Sequence, residues 1–78
     1  MQIEEGKKYL AKASRALSGH IYNGAYGWVG VILKGDESSP FPPNVISKKM
    51  RKARETRAEA VADAQAYLKR QQDRQARR

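Results

Sequence analysis

Six cations stand within ten residues of one another in the stretch Ser47-Lys48-Lys49-Met50-Arg51-Lys52-Ala53-Arg54-Glu55-Thr56-Arg57. Lys48, Lys49, Arg51, Lys52, Arg54 and Arg57 can each neutralise a phosphate, which gives affinity for a polyanion without sequence preference. On a strand, Lys49 and Arg51 project one way and Lys48, Lys52 and Arg54 the other. On a helix they wrap most of the circumference. The competing reading is a charged edge strand that blocks strand-to-strand aggregation; phosphate binding is preferred. Aromatic residues form a second group. Tyr22, Tyr26 and Trp28 lie about an Asn-Gly pair, with Arg15 and Lys34 not far off in sequence. Aromatic faces beside cations can stack on bases or pack on sugars. Taken singly, Trp28 reads as a core residue, and Tyr22, next to the turn, as the exposed aromatic.

Catalysis finds little support. His20 is the only histidine, there is no cysteine, and no Gly-x-Ser-x-Gly element exists. The adjacent carboxylates Glu4-Glu5 and Asp36-Glu37 sit at a terminus and at a turn, where a solvated surface is expected. Gly24 to Gly30 carries three glycines but no Gly-Lys-Ser/Thr, and it leads into a strand, so no phosphate cradle is expected there. The expectation is a protein that is not an enzyme and has no metal or cofactor.

The whole chain points the same way. Its 78 residues carry a net charge of +8. Eleven Lys/Arg and four Asp/Glu fall after residue 43, against five and four before it. Charge gathered in one half suggests a polyanionic partner, most often nucleic acid. A chain of this length makes one domain with a small core. The lack of cysteine suits a reducing compartment. The longest apolar run, Trp28 to Leu33, is far too short to span a bilayer, and the acidic start Met1-Gln2-Ile3-Glu4-Glu5 is unlike a secretion signal. A cytoplasmic protein with no membrane partner is expected.

These residues need elements to place them. Asn23-Gly24 suits a two-residue type I′ turn, because both central residues need positive φ. That turn sets Tyr22 against Ala25, Gly19 against Trp28, and Arg15 against Ile32. The second arm, Ala25 to Leu33, is rich in aromatic and β-branched residues and reads as a strand ended by Lys34-Gly35-Asp36. It has two apolar faces, one through Trp28 and Ile32, the other through Val29, Val31 and Leu33. One must take a helix; the other could meet a partner. Tyr9 to Leu17 fits either helix or strand, and the hairpin's need for a partner favours strand. Glu37 to Asn44, with three prolines, is a stiff loop.

After Asn44 there is neither glycine nor proline, so residues 45–78 could form one helix. The alternative is a third strand over about residues 45–54, then a helix starting at Thr56. Thr56-Arg57-Ala58-Glu59 has the form of a capping box, and three strands make a better core than two. The second alternative is preferred. Ala60, Val61, Ala64, Tyr67 and Leu68 then form the helix's inner stripe. The expected fold class is α+β, with a three-stranded antiparallel sheet packed on one C-terminal helix (β-β-β-α) over residues 1–70. Residues 71–78 form a basic helical extension or tail.

The residues Gly27-Trp28-Val29-Gly30-Val31-Ile32, followed by Thr56 to Tyr67 ("TRAEAVADAQAY"), resemble the strand-then-helix half of AP2-type and integrase arm-binding DNA domains. The resemblance covers about half the chain. It implies a three-stranded sheet on one helix, with the sheet entering the major groove. Trp28 would match the family's strand tryptophan, and Thr56, Ala58, Glu59 and Ala60 its helix start. In length and charge the chain is similar to accessory proteins of phages and mobile elements. The functional expectation is non-catalytic binding of nucleic acid, DNA rather than RNA, through Lys48, Lys49, Arg51, Lys52, Arg54, Arg57, Arg15 and Tyr22. The alternative is a small phage-type inhibitor or adaptor that binds a host protein. A homodimer is compatible with either.

Overall fold

A computed structural model gives the structure of residues 1–15 and 27–76. Three strands, β1 (Lys7–Arg15), β2 (Trp28–Asp36) and β3 (Val45–Arg54), form one antiparallel sheet in the order β1-β2-β3. A single helix, α1 (Arg57–Ala76), follows. This is the β-β-β-α arrangement expected from the sequence, with the third strand where the preferred reading put it. No helix among the described residues is long and apolar enough to cross a membrane.

β2 is central because its residues tolerate burial from both sides. Val29, Val31 and Ile32 are almost completely buried, as are Ala60 and Ala64 of α1. Gly30 explains how the helix comes so close. A Cβ there would collide with the Ala60 carbonyl oxygen and would lie 3.1 Å from the Ala64 Cβ and 3.0 Å from Met50. Gly30 therefore faces α1, and by the two-residue period of a strand so do Trp28 and Ile32. Val29, Val31 and Leu33 face the other way.

The β1–β2 pairing differs from the expected register. Arg15 lies opposite Trp28, not Ile32, and the ladder runs without a break to Lys7 opposite Asp36. β1 accordingly begins two residues earlier than Tyr9, and β2 continues through Lys34 and Gly35 to Asp36. The far end of the hairpin closes this pairing. Gly6, at φ 77°, turns the chain into β1, and its carbonyl accepts the Glu37 N–H at 2.9 Å. The two registers differ by an even number of residues. Each described side chain of β2 thus keeps the face assigned to it even though its partner changes. The Asn23-Gly24 turn itself lies outside the described residues.

Two irregularities mark β3, one between the partners of Val29 and Val31 and one between those of Ile32 and Leu33. The second leaves Ser47 as an extra residue between Lys48, opposite Ile32, and Ile46, opposite Leu33. Such bulges twist an edge strand.

α1 begins where the capping signal placed it. Thr56 Oγ1 accepts the Glu59 N–H at 3.2 Å and donates to the Glu59 carboxylate at 2.8 Å. The carboxylate thus holds the threonine hydroxyl, where a full capping box would have it take the backbone N–H. The helix continues unbroken to Ala76, so residues 71–76 are a helical extension rather than a tail. The N-terminal segment ties it down. Ile3 N–H donates to Gln75 Oε1 at 3.0 Å, Gln75 Nε2 donates to the Ile3 carbonyl at 2.7 Å, and the N-terminal amine donates to the Tyr67 hydroxyl at 3.3 Å.

Candidate nucleic-acid interface

β3 is an edge strand, and no carboxylate occurs within it. It puts Lys49, opposite Val31, on the face away from α1 and Lys48 and Arg54, opposite Ile32 and Trp28, toward the helix side; Arg51 and Lys52 lie at the irregularity between them, beside the groove that Asp63 and Arg70 border. The pairs Lys49–Val31 and Lys48–Ile32 fix this directly. Lys49, Arg51 and Lys52 are exposed.

The seven of the eight sequence-picked residues that are described do not form one surface. Arg54 is engaged within the fold: Nε and Nη2 donate to the two oxygens of Asp63 at 2.6 and 3.0 Å. That bidentate bond clamps the end of β3 to the first turns of α1 and raises the Arg54 pKa, chiefly through the hydrogen bond. Lys48 lies over the ring of Tyr67 at 5.7 Å. Arg15 and Arg57 meet at Trp28, 5.0 and 5.9 Å from the ring centre. Tyr22 lies outside the described residues. Two groups remain facing solvent: Lys49, Arg51 and Lys52 on β3, and the Arg15–Arg57 pair at the Trp28 end of the sheet.

The sheet adds cations that the linear run does not contain. Lys12 of β1 pairs with Val31 from the side opposite Lys49, so the two flank the central strand about 10 Å apart. Lys8 shares that face, but its Nζ donates to the Ser39 carbonyl at 2.7 Å. Arg70 of α1 borders an open groove with Met50, Arg51, Lys52, Arg54 and Asp63. Lys12 could have been found from the sequence only through the correct pairing register. Arg70 could have been found from its spacing, two helical turns after Asp63.

The carboxylates are placed elsewhere. Asp36 is the only one in the three strands, and it pairs with Lys7. Glu4 pairs with Lys34 at 2.7 Å. Hydrogen bonding and proximity to these ammonium groups hold Glu4 and Asp36 below the usual carboxylate range. Among the described residues the cations in ion pairs, Lys7, Lys34 and Arg54, all belong to the helix-side row of their strands. Among the described residues Lys12, Lys49, Arg51 and Lys52 have no carboxylate partner.

Among the described residues Phe41, Val45 and Ile46, in the loop before β3 and at its start, are the large apolar side chains most exposed to water, at 72%, 58% and 50%. Compared with known proteins, the chain matches no family model, no curated protein and no solved structure.

Proposed function

We propose that the protein binds duplex DNA without catalysis, through the edge strand β3 and the cations beside it. The supporting observation is the sorting of charge. The ion pairs among the described residues use Lys7, Lys34 and Arg54, while Lys49, Arg51 and Lys52 stand exposed and without a carboxylate partner on a strand that has no acid of its own. Such a surface attracts a polyanion and leaves no internal carboxylate to be displaced. Lys12 and Lys49, about 10 Å apart, suit a groove roughly 12 Å wide with phosphates along its walls. Contacts of this kind position a duplex rather than read it, so sequence preference is expected to be weak. The proposed setting is the cytoplasm, consistent with the absence of cysteine.

Titration of a labelled duplex at several salt concentrations tests this reading. Each phosphate contact contributes about 0.9 to the slope of log K against log salt. Lys49→Ala, Arg51→Ala and Lys52→Ala together should flatten the slope by up to about 3 and weaken unrelated sequences alike. Absence of binding at low salt overturns the proposal.

The exposed Phe41, Val45 and Ile46 favour a second reading, an adaptor or inhibitor that binds a protein partner. A stoichiometric complex that survives nuclease, and is lost with Phe41→Ser and Val45→Ser but kept in the triple-alanine variant, would replace the first reading with this one.

A further inference from the structure

We infer that Arg15, Trp28 and Arg57 form a phosphate clamp, a discrete site for one backbone phosphodiester at the end of the sheet where α1 begins. The inference rests on the nucleic-acid reading and adds a second contact point to it. The chain's only tryptophan carries two guanidinium groups over its ring, from Arg15 at the end of β1 and Arg57 at the start of α1. A guanidinium held against an aromatic ring uses its face and leaves its in-plane N–H donors free. Those donors match the geometry of a phosphate, to which arginine can bind in bidentate fashion.

The described surroundings leave these donors available. Trp28 has Arg15 opposite it on one side and Arg54 on the other. Arg54 is already bonded to Asp63, and the nearby Glu59 carboxylate is bonded to Thr56. Among the described residues neither Arg15 nor Arg57 has a carboxylate partner. The ring holds each guanidinium carbon within 6 Å of its centre before any anion arrives, which lowers the ordering cost of binding. The clamp also stands apart from the β3 cluster. Arg51 is three residues from Arg54 along an extended strand, about 10 Å, so the two sites would engage different phosphates of one nucleic acid.

Trp28 reports on the site directly. The full chain is titrated with inorganic pyrophosphate, with potassium chloride at matched ionic strength, and with a short duplex, while tryptophan emission is followed. Pyrophosphate and duplex should each give a saturable change, and chloride should not. Arg15→Gln with Arg57→Gln should abolish the pyrophosphate response and weaken the duplex roughly tenfold, with the circular dichroism spectrum unchanged. Arg15→Lys with Arg57→Lys keeps the charge but loses the planar fork, and should lose most of the response. Lys49→Ala with Arg51→Ala and Lys52→Ala should leave the pyrophosphate response intact. No saturable pyrophosphate signal, or one that survives in the glutamine pair, overturns the clamp even if duplex DNA binds. A clear pyrophosphate signal without duplex binding keeps the anion site and rejects its nucleic-acid ligand.

Discussion

The hydroxyl of Thr56 serves two partners at once, the Glu59 N–H and the Glu59 carboxylate. Without it, a first-turn amide loses its protein acceptor, and α1 loses the marker that separates it from β3. Thr56→Ala should therefore lower stability by about 1 kcal/mol in chemical denaturation. In a continuous helix alanine would be neutral or better, so an unchanged midpoint would remove the cap from the account. Gly30 is the more severe position. A side chain there meets the Ala60 carbonyl, a backbone atom that cannot rotate away, as well as Ala64 and Met50. Gly30→Val should cost at least about 2 kcal/mol through overpacking, read as a melting temperature lower by roughly 10 °C for a domain of this size. A loss of under a degree would mean that α1 does not seat on this glycine.

At the scale of elements, ion pairs fasten the ends of strands. Lys7–Asp36 joins the start of β1 to the end of β2, and Lys34–Glu4 holds the N-terminal segment to β2. Glu4 and Asp36 have folded-state pKa values below their unfolded ones. Their contribution is therefore present above the ordinary carboxylate range and is lost as pH falls through the lowered values. The melting temperature should drop on acidification below about pH 4. Glu4→Gln with Asp36→Asn should make that drop shallower while lowering stability slightly at neutral pH. An identical acid limb in the double variant would assign the sensitivity to other groups.

These elements also show what the sequence makes legible. The third strand and the start of α1 could be read because Thr56 and Glu59 are a local signal and two strands alone make a poor core. The faces of β2 could be read because alternation survives a register shift of even length. The register itself could not. Asn23-Gly24 describes one possible turn, whereas the pairing of Lys7 with Asp36 depends on Gly6 and Glu37 at the other end of the hairpin. The basic run was visible as a list of charges, but its division was not. Arg54 is withdrawn by Asp63, nine residues on, through a strand-to-helix corner that only the folded chain brings together. Lys12 belongs beside Lys49 because both flank Val31, which no reading of the linear run around residue 50 could supply.

For the whole molecule the leading quantity is the net charge of +8 on a body with a radius of gyration of 13.4 Å. Unfolding moves the same charges out to roughly twice that radius. Coulomb's law in water then puts the repulsion relieved by unfolding on the order of 3 kcal/mol without salt. The opposing term is small, since each of the solvent-accessible ion pairs contributes about 0–1 kcal/mol and is itself screened. At 0.1 M the screening length is already about 10 Å, shorter than the molecule is wide, so salt removes most of the long-range repulsion and little of what contact pairs supply. Repulsion should win, and the melting temperature should rise by several degrees as sodium chloride goes from a few millimolar to about 0.3 M. The same change should weaken duplex binding, because there salt competes for the phosphates. Scanning calorimetry across a salt series checks the first effect. A melting temperature that falls as salt is added would mean that ion pairs outweigh the excess charge, and that the basic surface costs the fold little even with no polyanion bound.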